Sequence, residues 1–204
     1  VFDDGSSILN TLGMTGSWRQ NSGKHAHVSL HLEGDKKVFF KDVRNFGTLK
    51  YVQSPDTLKQ KLSKIGPDML SEEVSNFQFI SALRTQNKKT VAQAIMNQSV
   101  ISGVGNYLKS ESLYHAKISP HRLVKNISDH ELASLNKSIK KIIRDSYRSG
   151  GATIYSFKNF DLEDGKYTRR FAVYNQKEDL LGNPVVREKT ADSRTTFWVE
   201  SLQK

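Results

Sequence analysis

Four short stretches hold residues whose types and spacing could do chemistry. At 103–106, two glycines bracket a valine and lead into an asparagine, Gly103-Val104-Gly105-Asn106. Glycines let backbone amides close on a ligand, and amides at a helix start form an anion site, with Asn106 adding a side-chain donor. The same residues also read as a helix–helix connector with Asn106 as N-cap. In "LGMTGSW" (12–18), Met14 stands near two glycines at a strand end, either as core filler or, if exposed, as a flexible apolar wedge. In "KDVRNFG" (41–47), Arg44 and Phe46 fall on one side of an extended chain. Such a pair can hydrogen-bond an unpaired base and wedge into a stack. The alternative is a surface ion pair of Arg44 with Asp42 and a buried phenylalanine. Arg194, in "ADSRTTFWV" (191–199), falls at the tip of a hairpin. A tip guanidinium among hydroxyls suits a phosphate, and an ordinary solvated turn fits equally.

Composition narrows the partners. The chain of 204 residues has 31 Lys and Arg against 21 Asp and Glu, and its pI is near 9.7. A basic globular chain favours polyanions: DNA, RNA or an anionic membrane surface. Hydrophobic residues make up 36% and charged residues 25%, an ordinary soluble composition. No apolar run is long enough to span a membrane. There are no cysteines, which excludes disulfides and thiolate metal ligands, and the six histidines show no zinc-site spacing. The expectation is therefore no metal, no cofactor and no membrane.

The elements that must position these residues follow from the hydrophobic period. Residues 1–53 read as short antiparallel strands, with Val28, Leu30 and Leu32 alternating before a turn at Glu33-Gly34-Asp35. The opening "VFDDGSSIL" reads as a hairpin entered in mid-strand, so a natural N-terminus upstream of Val1 is expected. Helical spacing takes over after Pro55, at 57–65, 74–86, 90–98 and 106–116. A capping box, Ser128-Asp129-His130-Glu131, opens the strongest helix, which Gly150-Gly151 ends. The tail, 166–204, reads as strands at "RFAVY" and "TTFWV" around a turn at Gly182-Asn183. The expected fold class is α+β. It comprises an incomplete N-terminal antiparallel β-sandwich (1–54), a helical domain (55–165) and a C-terminal β-hairpin (166–204).

In this order, "LGMTGSW", "KDVRNFG", "IGPD", "QAIMNQSVISGVGNYLKSESLYHAKISPHR", "RFAVY" and "SRTTFW" resemble the motifs of the formamidopyrimidine-DNA glycosylase and endonuclease VIII family. The resemblance runs from about Leu9 to Lys204, and the helix–two-turn–helix block is its most specific part. It implies a base-excision repair enzyme, a DNA glycosylase and AP lyase acting as a monomer on double-stranded DNA with oxidised bases or abasic sites. It implies phosphate binding by Gly105, Asn106 and Arg194. Met14, Arg44 and Phe46 match the residues that fill the void left by a flipped-out base. His25 and His27 match a segment near the DNA backbone, and the loop Phe157–Arg170 matches the base-recognition loop.

Three departures accompany the resemblance. Many members hold zinc through four cysteines in the finger. Here Leu180, Leu181, Val199 and Leu202 stand in that region, so a zincless finger packed by side chains is expected. Gln93 stands where bacterial members often have a lysine. The family's catalytic proline, glutamate and lysine are expected upstream of Val1, so no catalytic residue is assigned in this chain, which is expected to be inactive alone. The alternative is a lesion- or abasic-site-binding module without catalysis. A cysteine-free basic chain with no signal peptide fits the nucleus or cytoplasm rather than secretion.

Overall fold

The computed structural model describes residues 1–71, 73–152 and 165–204. They fall into two compact units: Val1–Ser63 with Ala152 and Gly165, and Lys64–Gly151 together with Lys166–Lys204.

The first unit holds β1 (Ser7–Thr11), β2 (Ser17–Arg19), β3 (Ala26–His31), β4 (Lys37–Lys41), β5 (Thr48–Val52) and α1 (Pro55–Leu62). β1 pairs antiparallel with β5 from Ser7↔Val52 to Thr11↔Thr48. A second sheet runs in the order β2-β4-β3, also antiparallel. Gly34 and Asp35 both take positive φ, which closes the turn from β3 into β4. At the front, the Phe2 amide donates to the Ser6 carbonyl across the Asp3-Asp4-Gly5 turn, but the strand begins only at Ser7. Trp18 donates through Nε1 to Asn10 Oδ1 at 3.0 Å and packs on Phe40, tying β2 to β1 and β4. α1 begins at Pro55, with Ser54 as N-cap.

The second unit holds α2 (Asn76–Arg84), α3 (Val91–Met96), α4 (Asn106–His115), α5 (Asp129–Arg148), β6 (Val186–Lys189) and β7 (Thr195–Trp198). Reciprocal capping boxes start three of the helices: Ser75 with Gln78, Thr90 with Gln93, and Ser128 with Glu131. α5 buries Leu132, Leu135, Ile139 and Ile142 on one face. α4 is different, because every residue from Leu108 to Leu113 is buried, including Lys109 and Glu111. It is the polar spine of the unit. A Cβ at Gly66 would lie 2.5 Å from the Val100 carbonyl carbon, so only glycine lets the chain before Pro67 lie against residues 98–101.

The tail departs from its sequence pattern. "RFAVY" does not form a strand. A 3-10 turn covers Tyr167–Arg170, and the amides of Ala172, Val173 and Tyr174 all donate to the buried Glu111 carboxylate at 2.8–2.9 Å. Amides committed to a carboxylate are not free for a strand ladder. The hairpin is β6–β7, with Lys189 paired to Thr195, so its tip is at 190–194 and not at Gly182-Asn183.

Candidate nucleic-acid interface

In the first unit, Met14, Arg44 and Phe46 form one exposed cluster. The Arg44 guanidinium carbon lies 4.7 Å from the centroid of the Phe46 ring, and Nη1 lies 3.5 Å from the Met14 sulfur. Met14 is 75% exposed and Phe46 57%. Neither residue belongs to the core, so both core alternatives fall. So does a side-chain ion pair, because Asp42 meets the Arg44 backbone amide instead.

Asp42 is the organiser, and sequence reasoning missed it. Its buried carboxylate accepts from the Thr15 hydroxyl, from the Gly47 amide at 2.6 Å and from the Arg44 amide at 3.2 Å. The Thr15 bond first, then the amides, hold its pKa below the ordinary aspartate value. Asn45 takes the left-handed conformation inside this loop. Gly13 also has positive φ, and a Cβ there would lie 2.9 Å from the Phe46 carbonyl carbon, so two chain segments touch beneath the cluster. His27 contributes Nε2 at 2.9 Å from the Asp42 carbonyl, and the His25 carbonyl accepts from the Asp42 amide. Both histidines brace the loop from behind through these bonds.

In the second unit, Gly105 is the N-cap of α4 and Asn106 its first residue, so Asn106 does not cap the helix. Its Nδ2 donates instead to the Thr195 carbonyl in β7 at 2.8 Å, leaving Oδ1 buried without a partner among the described residues. A Cβ at Gly105 would touch nothing within 4 Å. The missing side chain therefore leaves the helix-start backbone open, where the first amides have no intrahelical acceptor. Gln98 staples the turn, its Nε2 donating to the Val104 carbonyl at 2.9 Å and its Oε1 accepting from the Gly103 amide at 3.1 Å.

Arg194 is exposed at the hairpin tip, and the tip is bolted to the helices from several sides. Gln93 Nε2 donates to the Ala191 carbonyl at 3.0 Å. Lys109 meets Asp192 at 2.7 Å, both side chains being buried. Burial pushes the Lys109 pKa down, against the pull of Asp192. The Phe197 amide donates to the Ser110 hydroxyl. The helix start at Gly105-Asn106 and Arg194 thus share one framework.

The finger is held without sulfur ligands. Val173, Phe197 and Val199 form its apolar core, with Tyr114, Tyr174, Val185 and Leu202 packed on it. Val199 and Leu202 play the expected part. Leu180 and Leu181 do not, each being 78% exposed. Their turn is closed by the Asp179 carboxylate, which accepts from the amides of Leu181 and Asn183 and from the Tyr114 hydroxyl. Burial, then Asp179, raises the Tyr114 pKa to about 12. Among the described residues, no group of three or more His, Cys, Asp or Glu is placed to hold a metal. Of the loop matched to base recognition, residues 157–164 lie outside the described residues. No helix of the described residues is long and apolar enough to cross a membrane.

Comparison with known proteins covers nearly the whole chain. Family models for the formamidopyrimidine-DNA glycosylase N-terminal domain, H2TH domain and C-terminal domain match residues 1–49, 65–158 and 158–204. The formamidopyrimidine-DNA glycosylase of Aliivibrio fischeri (strain ATCC 700601 / ES114) is 37% identical over 98% of this chain and 75% of its own length. That of Bdellovibrio bacteriovorus is 34% identical over 97% of this chain and 75% of its own. The crystal structure of the MutM (Fpg) protein from Thermus thermophilus aligns with TM-score 0.87 at 28% identity, over 98% of this chain and 77% of that one. The Lactococcus lactis Fpg in complex with abasic-site DNA aligns with TM-score 0.84 at 25% identity, over 98% and 75%. With three matching family models in the family's order and a relative 37% identical over nearly its whole length, the chain belongs to the formamidopyrimidine-DNA glycosylase family.

Proposed function

We propose that this protein works in base-excision repair as a DNA glycosylase with AP lyase activity, acting on oxidised bases and abasic sites in double-stranded DNA. The observation that carries the proposal is the pre-assembled, exposed cluster of Met14, Arg44 and Phe46. Extruding a base costs a few kcal/mol unless something occupies the gap. Arg44 supplies planar donors for the orphaned base, Phe46 an apolar wedge for the step, and Met14 adaptable bulk. The helix start at Gly105-Asn106 and the Arg194 guanidinium hold phosphates near the lesion, and His25 and His27 support the backbone contact from the strand side. Family membership supports this reading, as do Lactococcus lactis relatives solved with DNA containing Fapy-dG or an abasic site.

The division of labour follows residues 1–54 for the void, 55–165 for the helix-start grip and 166–204 for the finger. The proposed chemical step is attack by the secondary amine of a proline upstream of Val1 on the deoxyribose C1′. The base leaves, a Schiff base forms, and elimination opens the strand. The residues of this chain bind and orient the DNA for that step.

Borohydride trapping on an oligonucleotide with one abasic site tests the proposal, with this chain run beside one extended to an upstream proline. An adduct with the extended chain alone is expected. Binding by both chains with no adduct from either would instead make this a lesion-binding module and overturn the enzymatic reading.

A further inference from the structure

A cleft of about 370 Å³ lies within the second unit, between the end of α4, the middle of α5 and the 3-10 turn at 167–170. On α5, Ser134, Lys137, Ser138, Lys141 and Asp145 follow the spacing i, i+3, i+4, i+7, i+11, so they form one row along its wall. Arg170 lines it from the turn. The side chains of Lys137, Lys141 and Arg170 make no ion pair among the described residues. His115, at the end of α4, adds no charge at pH 7, because burial chiefly, with Lys141 helping and Glu111 opposing, holds its pKa below the ordinary value. Three cations against the one carboxylate of Asp145 leave a surplus of two positive charges in the cleft.

Tyr167 separates this cleft from a solvated basic face. The residue is 95% buried, its ring packed against Tyr107 and Phe171. Its hydroxyl has no hydrogen-bond partner among the described residues, yet the oxygen is not fully enclosed. The open space that Tyr167 lines is the cleft. Burial first, then Glu111, raises its pKa to about 12, so the phenol keeps its proton and is a donor in want of an acceptor. The Ser134 and Ser138 hydroxyls add donors on the α5 side. A set of cations and donors with two surplus positive charges matches a phosphomonoester, which carries about two negative charges at pH 7 and three acceptor oxygens. A carboxylate or a backbone phosphodiester brings one charge and would leave a cation unmatched.

We infer that this cleft is a phosphomonoester site, with Lys137, Lys141 and Arg170 matching the dianion and the Tyr167 hydroxyl donating to one of its oxygens. It goes beyond the lesion-processing reading, which assigned nothing to Lys137, Lys141 or Asp145. Tyr167 and Arg170 also end the segment matched to base recognition, so the comparison with duplex DNA is made on the lysines.

Amide chemical shifts of the 204-residue protein, titrated with inorganic phosphate, thymidine 5′-monophosphate and dimethyl phosphate, test this. Both monoester-type dianions are expected to shift the amides of Lys137–Lys141 and Tyr167–Arg170 to saturation, and the singly charged dimethyl phosphate to bind about tenfold more weakly. Tyr167→Phe, which removes only the hydroxyl, is expected to weaken thymidine monophosphate about tenfold, as is Lys137→Gln with Lys141→Gln. Asp145→Asn is expected to tighten it about threefold, a gain that a merely structural role for the carboxylate would not produce. A short dT strand with a 5′-phosphate, set beside one with a 5′-hydroxyl, separates the sources. Preference for the phosphorylated strand makes the ligand a DNA end, whereas binding of the mononucleotide alone makes it a free nucleotide, and either supports the site. No saturable shift at these amides, equal affinity for dimethyl phosphate, or an equal loss of abasic-duplex binding in the lysine double variant would overturn the inference. Arg44→Ala on the abasic duplex reads the lesion site, so failure of one proposal leaves the other measurable.

Discussion

Lys109 Nζ lies 2.7 Å from Asp192 Oδ2, and both side chains are out of water. The middle of α4 is thereby locked to the loop that presents Arg194. Removing one partner leaves a buried charge uncompensated, which costs about 3–5 kcal/mol. Lys109→Met and Asp192→Leu are each expected to lower the melting midpoint by about 10 °C, and the double replacement by clearly less than their sum. Thermal denaturation of the parent and the three variants checks this.

Phe46→Ala removes an exposed ring, so stability is expected to stay within about 0.5 kcal/mol of the parent. Affinity for an abasic duplex is expected to fall by about tenfold, since the void loses its wedge. Arg44→Ala is expected to lessen the dependence of that affinity on the base opposite the gap. Anisotropy titrations against four duplexes differing only in that base measure both effects.

Asp42→Ala acts at one remove. The Gly47 amide loses its acceptor, the Arg44 amide keeps only the Thr15 hydroxyl, and the exposed cluster loses part of its support. Faster hydrogen exchange at the Gly47 amide is expected, together with weaker abasic-duplex binding. Unchanged exchange would show that the loop holds itself without the carboxylate.

Asn106 tests the helix-start grip. Asn106→Asp puts a carboxylate beside the Thr195 carbonyl and at the proposed phosphate position, whereas Asn106→Ala only removes a donor. The aspartate variant is expected to bind duplex DNA more weakly than the alanine variant, with the gap narrowing as salt rises.

Glu131 sets a pH window. Hydrogen bonding from Arg122 is the main cause lowering its pKa from 4.5 to about 2. A carboxylate whose folded pKa is depressed contributes stability that is full above its unfolded value and lost as pH falls toward the folded one. The parent is therefore expected to lose midpoint temperature between about pH 5 and pH 2 more steeply than Glu131→Gln. Melting curves across that range decide it.

Much of this molecule was legible in its sequence where local patterns govern. The capping box at Ser128–Glu131, the α5 stripe and the alternation in β3 are short-range signals, and each gave its element. The α+β order, with strands first, helices next and a hairpin last, followed from them. What misled was long-range and polar. "RFAVY" has a strand's pattern, but its amides are taken by Glu111, some sixty residues away. Asn106 looks like a cap, yet its amide crosses to Thr195, 89 residues on. Leu180 and Leu181 look like replacements for metal ligands, but a carboxylate closes their turn. Asp42 gave no signal of its own, because the acceptor it provides is defined only once Thr15 and Gly47 converge on it.

Gln93 completes the capping box that starts α3 and, with the same amide group, holds the Ala191 carbonyl at the finger tip. Helix initiation and finger docking therefore share a side chain. Together with the α4 contacts to Asp192, Thr195 and Phe197, this joins segments about a hundred residues apart into one foldon. The H2TH and C-terminal family models meet at residue 158, but these bonds cross that line. The finger is therefore expected to open only when the helices beneath it open, which hydrogen exchange at the amides of β6 and β7 would show as protection equal to that of α4.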